Sequence, residues 1–138
     1  MNWRELAKYF VHGVAFSLLF TFFIIGLTLF SVVLMVFGSF IGLIIVIGLM
    51  ILMIGSINIE ITERLWFSVK SEFWDILFHG LLLFIALLVV DGVFFLAPLL
   101  IFPGIGTIAL TFIIGSFIDG LVCKKIAGLW EEGSGFFS

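Results

Sequence analysis

Four long apolar stretches constrain the fold of this 138-residue chain more than any other feature of its sequence. The hydrocarbon core of a bilayer is crossed by roughly 20 apolar residues in an α-helix. Because lipid offers no water to the backbone amides, such spans must satisfy their hydrogen bonds internally as helices. We place the spans at about residues 9–37, 40–57, 76–96 and 105–122. The sequence therefore predicts an all-α integral membrane protein with four transmembrane helices in two tandem hairpins.

The composition excludes the other broad classes of protein. Hydrophobic residues make up 64% of the chain, charged residues 11%, and the mean hydropathy is +1.45. A soluble domain of this size leaves roughly a third of its chain surface in water and could not hide so much apolar surface. The 19 Phe residues argue against disorder. Residues 1–138 are therefore predicted to form a single membrane domain.

The basic residues all fall at one end of this topology. They are Arg4, Lys8, Arg64, Lys70, Lys124 and Lys125. The connections at the other end, residues 38–39 and 97–104, contain no ionisable side chain. Short loops rich in Lys and Arg remain cytoplasmic, so both termini are predicted to be cytoplasmic, in a plasma membrane. The lipid bilayer is then the first partner, and no basic surface suited to nucleic acid is present in the sequence.

The polar break between the second and third spans, residues 58–75, has a helical hydrophobic pattern. Its apolar residues recur every four positions, at Ile61, Leu65, Val69 and Phe73. This spacing predicts an amphipathic helix lying on the cytoplasmic surface. Tryptophan rings suit the membrane–water boundary, and the predicted interfacial anchors are Trp66, Trp74 and Trp130.

The outer connection between the third and fourth spans, residues 96–104, is unusually apolar and carries two prolines. Pro98 and Pro103 each lack an amide hydrogen and clash with the preceding helical turn, so they predict a break in the helix. An interfacial turn is the simpler interpretation of this segment. A re-entrant loop that dips into the bilayer is the alternative.

The two halves of the chain resemble each other. The matching pairs are His12-Gly13 with His79-Gly80, Ile41-Gly42 with Ile105-Gly106, and Leu65-Trp66 with Leu129-Trp130. The first match has an offset of 67 residues and the other two an offset of 64, so one short gap aligns the halves. We predict an internal duplication with repeats at about residues 1–66 and 67–130, followed by a short tail, 131–138. Two spans per copy would make the repeats parallel, related by an axis along the membrane normal.

Asp91 is the costliest residue to place, because it lies inside the third predicted span. A carboxylate in the bilayer costs a few kcal/mol, so it usually pairs, protonates or faces a polar cavity. As a functional residue it would handle protons or cations. As a structural residue near the outer end it would reach headgroups or water. Hydroxyl partners within the membrane are available at Thr21, Thr28, Ser31, Thr107 and Thr111.

His12 and His79 lie near the cytoplasmic ends of their spans, at equal depth if the repeat holds. Two His on facing helices of a bundle could ligate a haem, or a metal together with Asp119 or Asp75. Two His alone are a weak signal, since most such residues bond to a carbonyl, a carboxylate or headgroup water. We therefore predict no cofactor and keep a haem or metal as the alternative. In a transporter these histidines, with Asp119, would line the inner mouth.

Small residues indicate close packing between helices, within the chain or between copies. The residues assigned to packing are Gly38, Gly42, Gly48, Gly55, Gly115, Ser116 and Gly120.

No catalytic motif accompanies these features: H-E-x-x-H, G-x-S-x-G and phosphate-binding glycine loops are absent from the sequence. The first hypothesis is therefore a non-catalytic protein that acts by helix packing, as a homo-oligomer or as an accessory subunit of a membrane assembly. The alternative is a small transporter or channel that moves protons, ions or a small solute past Asp91. An electron carrier with a cofactor and a lipid-modifying enzyme are the remaining possibilities.

Overall fold

A computed structural model describes residues 2–36 and 40–131, and these residues are almost entirely helical. The helices are α1 (Trp3–Val36), α2 (Phe40–Leu65), α3 (Phe73–Asp91), α4 (Ala97–Ile101) and α5 (Ile105–Gly128). A π-helical segment, Gly92–Leu96, joins α3 to α4 without interruption.

Four helical segments are long and apolar enough to cross a membrane, which confirms the predicted number of spans. They are Trp3–Met35, Phe40–Leu65, Phe73–Ile101 and Ile105–Gly128. Their lengths run from 24 to 33 residues, which exceeds the roughly 20 that a bilayer core requires. Each helix therefore extends beyond the apolar stretch from which it was predicted.

The second helix differs most from the prediction. α2 continues to Leu65, so the polar residues after Ile57 belong to its last two turns rather than to a separate surface helix. Asn58 and Thr62 are fully buried and face the interior of the bundle. On the outer face, Arg64 pairs with Glu60 one turn earlier, a spacing that supports a helix. The prediction of a separate amphipathic surface helix is therefore wrong.

The chain between α2 and α3, residues 66–72, is not helical. Val69 is almost completely buried and forms an isolated antiparallel bridge with Glu131. The adjacent Lys70 N–H donates to the carbonyl oxygen of Trp130 at 2.8 Å. The connection between the two halves of the chain is thus fastened to the segment that follows α5.

Pro98 does not interrupt the third span, contrary to the prediction. The Ala97 N–H donates to the carbonyl of Gly92, five residues earlier, which is the π-helical pattern. Pro98 then falls in the first turn of α4, where a missing amide hydrogen costs little. The helix ends only at Phe102, just before Pro103. The connection to α5 is therefore much shorter than the nine-residue loop suggested by the sequence.

The four spans form a bundle in which α1 and α3 lie on opposite sides. Each of these two helices packs against both α2 and α5, and α2 and α5 also touch each other across the middle. Within the described residues, α1 and α3 make no close backbone approach to each other. The space between them is available to side chains and to a cavity.

Glycines allow α1 and α5 to cross almost backbone to backbone. A Cβ added at Gly13 would overlap the carbonyl oxygen of Ser116, and one added at Gly120 would overlap that of Tyr9. A larger residue at either position would push the two helices apart. This crossing lies close to the end of the bundle that carries the charged side chains.

A second crossing of the same kind joins α2 to α3. A Cβ at Gly80 would overlap the carbonyl oxygen of Ile51, and one at Gly55 would overlap that of Ile76. In each crossing, both helices contribute a glycine. Both crossings lie at the same end of the bundle. Close packing is therefore concentrated at that end.

Candidate functional site

Asn58 on α2 is the centre of a buried polar network. Its side chain is fully buried, and its Oδ1 lies 2.7 Å from His12 Nε2 on α1. Its Nδ2 lies 2.7 Å from His79 Nε2 on α3 and 3.0 Å from the carbonyl oxygen of Cys123 on α5. One amide thus connects all four spans. Sequence reasoning missed it because Asn58 was assigned to the start of the polar break, which was predicted to lie on the membrane surface.

The hydrogen bonds define the protonation of both imidazoles. The Cys123 carbonyl can only accept, so the amide NH₂ must face it, and the same NH₂ donates to Nε2 of His79. Asn58 Oδ1 then accepts the Nε2 proton of His12. The remaining ring nitrogen of His12, Nδ1, accepts from the Trp66 indole N–H at 3.1 Å. Two neutral histidines of opposite tautomer satisfy this arrangement.

Trp130 covers the second histidine. Its ring stacks on His79 with the centroids 5.0 Å apart and the planes 26° from parallel. The Trp130 side chain is only 4% exposed, so it is an interior residue and not the predicted interfacial anchor. Trp74, by contrast, is 63% exposed and fits that role by position. His79 Nδ1 is buried without a hydrogen-bond partner.

The arrangement does not fit a haem held by the two histidines. The Asn58 amide lies between the rings, and both Nε2 atoms that could ligate an iron are hydrogen-bonded to it. Among the described residues there is also no cluster of three or more His, Cys, Asp or Glu side chains suited to a metal. Asp119 and Asp75 do not join the histidines.

Cationic side chains cover the network on its charged side. Lys124 Nζ lies 3.9 Å from the centre of the Trp66 ring and 3.1 Å from the Tyr9 hydroxyl. Lys8 approaches the same indole at 5.1 Å. These cation–π contacts hold Trp66 where its N–H reaches His12. Trp66 is therefore half-buried between the network and the charged surface.

A pair of carboxyl groups forms the second polar feature. Asp91 at the end of α3 and Asp119 on α5 line the same cavity, and their carboxyl groups are near enough to interact. Asp119 is only 4% exposed, and one oxygen of each carboxyl group is buried without a partner. The third span continues to Ile101, so Asp91 lies within the span and not at its outer end. Asp119 is its partner in place of the predicted hydroxyl groups.

Most of the hydroxyl groups that were considered as partners of Asp91 form hydrogen bonds within their own helices instead. Thr28, Ser31 and Thr111 each donate to a backbone carbonyl three or four residues earlier in their own helix. Such back-bonding is usual for hydroxyl side chains within helices. Only Thr21 among the predicted set lines the same space as the carboxyl pair.

The carboxyl pair opens onto a cavity of about 490 Å³ between α1 and α3. The residues that line it include four with polar side chains: Asp91, Asp119, Ser17 and Thr21. Four phenylalanines contribute to its walls: Phe16, Phe20, Phe84 and Phe95. An apolar cavity with a few convergent polar groups is the usual form of a small-molecule site.

The small residues predicted to mediate packing have different surroundings. Gly55 and Gly120 lie at the two close crossings, Gly115 lies against the Phe95 ring, and Gly48 has open space beside it. Gly42 and Ser116 are buried, and Gly38 lies outside the described residues. Gly13 and Gly80 were noted only as neighbours of the histidines. Each follows a histidine at the same place in its half of the chain, and this repeated His-Gly pair was the signal in the sequence that could have indicated packing.

Comparison of the chain with protein family models, with curated proteins and with solved structures found no match.

Proposed function

We propose that this protein is a small transporter or channel that moves protons or monovalent cations through the membrane, with Asp91 and Asp119 as the binding pair. The observation that carries the proposal is the convergence of two carboxyl groups, from different spans, on one cavity inside the bundle. Each retains a buried oxygen without a hydrogen bond. A protein that acted only by helix packing would gain nothing from two such costly groups.

The chemistry of the pair suits exchange. Two ionised carboxylates side by side inside a bundle repel each other, so the pair is favoured with one proton shared between Asp91 and Asp119. The singly protonated pair carries one negative charge. A cation that reaches the free oxygens can take the place of the proton, which leaves through the bundle. Binding of the cation and release of the proton are then competitive, as proton-coupled transport requires.

The His12–Asn58–His79 network supplies polar groups on the side of the pair toward the charged end. Asp119 and Cys123 are one helical turn apart on α5, and the Cys123 carbonyl is a partner of Asn58. The network therefore lies about one helical turn from Asp119 along α5, on the side toward Trp66 and the cationic rim. This proximity supports the assignment of the histidines to the inner mouth of a path.

Flux measurements in proteoliposomes test the proposal. Asp91→Asn and Asp119→Asn preserve the shape of each side chain but remove the exchangeable proton, so we expect each to abolish proton flux driven by a cation gradient. Asp75→Asn, which changes a carboxylate at the charged end, is the matched control and should retain flux. Equal flux in all four proteins, with the variants folded, would contradict a role for the pair.

We also propose that the charged end of the bundle faces the cytoplasm of a cell whose plasma membrane holds the protein. The one-sided distribution of Lys and Arg supports this orientation. Cys123 is buried, so new cysteines can report alone on each side. Ser68→Cys should resist a membrane-impermeant maleimide in intact cells, whereas Phe102→Cys should react; the reverse pattern would contradict the orientation.

An internal duplication is a further part of the proposal. Gly13 and Gly80 are 67 residues apart and occupy equivalent places in the two close crossings, as do Gly55 and Gly120, which are 65 apart. The carbonyl groups that they contact are related by the same offsets. This correspondence supports two parallel repeats related by an axis along the bundle.

Assembly with other membrane proteins is the second candidate function, either as an accessory subunit or as a homo-oligomer. Gly26 and Gly48 favour it, because both have open space beside them on α1 and α2, where small residues allow another helix to approach. Replacement of both by Leu should then release a partner or dissociate an oligomer, as measured by native mass spectrometry from detergent. An unchanged monomer before and after replacement would contradict this function.

A further inference from the structure

The cavity beside the carboxyl pair has the chemistry of a site for an organic cation. Its volume, about 490 Å³, lies within the range of roughly 300–1,000 Å³ that accommodates small molecules. A bare proton or metal ion needs none of this space. The volume therefore indicates a ligand with an apolar body of its own.

The walls of the cavity complement such a body. Phe16 and Phe20 form a stacked pair on α1, with their centroids 5.8 Å apart, and Phe84 and Phe95 face them from the third span. Aromatic faces attract cations as well as apolar groups. The wall residues would thus bind both the hydrocarbon part and the diffuse charge of an organic cation.

The carboxyl pair supplies the counter-charge at the α5 side of the cavity. Asp119 is buried and keeps one oxygen without a hydrogen bond, and Asp91 does the same from α3. Buried acceptors without donors carry a large desolvation cost. A cationic group placed against these two oxygens would remove that cost, which an uncharged ligand without donors could not do.

The mouth of the cavity opens between helices and faces the bilayer. α1 and α3 make no close backbone approach to each other among the described residues. Three residues at the edge, Thr21, Leu88 and Leu96, are exposed on the outer surface of the bundle. A molecule dissolved in the bilayer would reach the carboxyl pair sideways, without passing through the charged end.

We propose that this cavity binds an amphipathic monovalent organic cation that enters from the lipid phase and is neutralised by Asp91 and Asp119. The inference rests on the proposed transport function, since it uses the same carboxyl pair, and it specifies the class of substrate. Binding displaces the proton shared by the pair, so one positive charge enters the site as one leaves.

Equilibrium binding of tetraphenylphosphonium to the purified full-length protein in detergent tests the proposal. Triphenylphosphine oxide, which has a similar apolar body and no net charge, is the matched ligand control. We expect saturable binding of the cation only. Asp91→Asn combined with Asp119→Asn should weaken it by about tenfold or more, because the counter-charge is lost, while Asp75→Asn should leave it unchanged.

A second variant separates this inference from the proposed transport function. Gly92 lines the cavity, has ordinary helical backbone angles, and a Cβ added there would meet no atom within 4 Å outside its chain neighbours, so Gly92→Leu should reduce the space in the cavity while both carboxyl groups are kept. Tetraphenylphosphonium binding should fall by roughly tenfold, and by more than the flux of protons against a small inorganic cation, because the lost space matters most to a bulky ligand.

The opposite results would overturn the inference in recognisable ways. Absence of saturable binding, or equal binding by the double Asn variant, would exclude an organic cation and leave the cavity to a side chain of a partner helix. If flux nevertheless depended on Asp91, the transport proposal would survive without this substrate class. Loss of flux in Gly92→Leu with retained tetraphenylphosphonium binding would also contradict the assignment of the cavity.

Discussion

The charged end of the bundle and the half beyond the carboxyl pair are built in different ways. At the charged end, Gly13 and Gly80 bring helix backbones together and Asn58 connects four spans. In the other half, side chains such as Leu29 on α1 and Phe40 on α2 are 67% and 78% exposed. The hydrophobic effect does not drive helices together in lipid, so small residues and polar contacts must hold the bundle. The comparison shows that these devices are concentrated at one end.

The central groups of the two regions, the Asn58 amide and the carboxyl pair, differ in how well they are satisfied, although His79 Nδ1 and Thr62 Oγ1 at the charged end are also buried without partners. The Asn58 amide uses its acceptor and its donors, whereas Asp91 and Asp119 each keep a free buried oxygen. Satisfied polar groups add rigidity, and unsatisfied ones are the usual mark of a binding or reactive site. We therefore assign stability to the network and ligand binding to the carboxyl pair.

The largest expected difference between the two regions comes from adding a methyl group at one glycine in each of them. Gly13→Ala would force α1 away from α5, and we expect it to lower the free energy of unfolding by about 3 kcal/mol. Gly26→Ala has open space and should leave stability equal or slightly higher. Unfolding in mixed micelles of increasing sodium dodecyl sulfate measures both. Equal losses would show that packing is not concentrated at the charged end.

Removal of the central amide should have the next largest effect. Asn58→Leu leaves both Nε2 atoms without their partner and removes the bond to the Cys123 carbonyl, at a cost of about 2 kcal/mol. Thr28→Val, whose hydroxyl bonds only within α1, is the control from the open half and should change little. The same micelle titration reports both variants. If His12→Phe and His79→Phe are added to Asn58→Leu, part of the lost stability should return, because the two Nε2 atoms left without partners are removed with the imidazole rings.

Loss of the indole hydrogen bond should cost less. Trp66→Phe removes the donor to His12 Nδ1 and weakens the contact with Lys124, and we expect a loss of about 1 kcal/mol. Trp74→Phe changes an exposed tryptophan at the same end and should have no measurable effect. A similar loss in both variants would show that tryptophan at this end stabilises the protein generally, and not through the network.

The smallest effect on stability is expected at the carboxyl pair. Asp91→Asn removes a costly buried acid without disturbing a satisfied network, so the free energy of unfolding should change by less than about 0.5 kcal/mol or should rise. Thermal unfolding followed by circular dichroism in detergent measures this change. A loss as large as that of Asn58→Leu would mean that the pair holds the bundle together, which would remove the distinction between the two regions.

The four spans could be predicted from the sequence because apolar length alone determines them in lipid. Their ends could not, since polar residues such as Asn58 and Thr62 indicate a loop in a hydropathy profile even when they face the interior of a bundle. The prediction that Pro98 would break the helix failed for a related reason. The free-energy cost of a proline depends on the hydrogen-bond pattern of the preceding turn, and the π-helical segment removes that cost here. Helix bounds at polar residues are therefore set by tertiary packing.

The residues of the candidate site could be predicted from the sequence, but the contacts between them could not. His12, His79, Asp91 and Asp119 were all recognised as unusual residues for a membrane span. The sequence grouped Asp119 with the histidines, whereas the fold places it beside Asp91, because contacts between α3 and α5 depend on the order of helices around the bundle. Trp130 was predicted to be an interfacial anchor because the sequence does not show which side of a helix end is covered by the rest of the protein.

The π-helical segment Gly92–Leu96 holds one residue more than an α-helical turn of the same reach. Loss of a single residue there would leave an ordinary α-helical turn, with α4 still in phase with α3 and the crossing at Gly80 in place. The cavity wall can therefore gain or lose one residue at this point without unlocking the rest of the bundle.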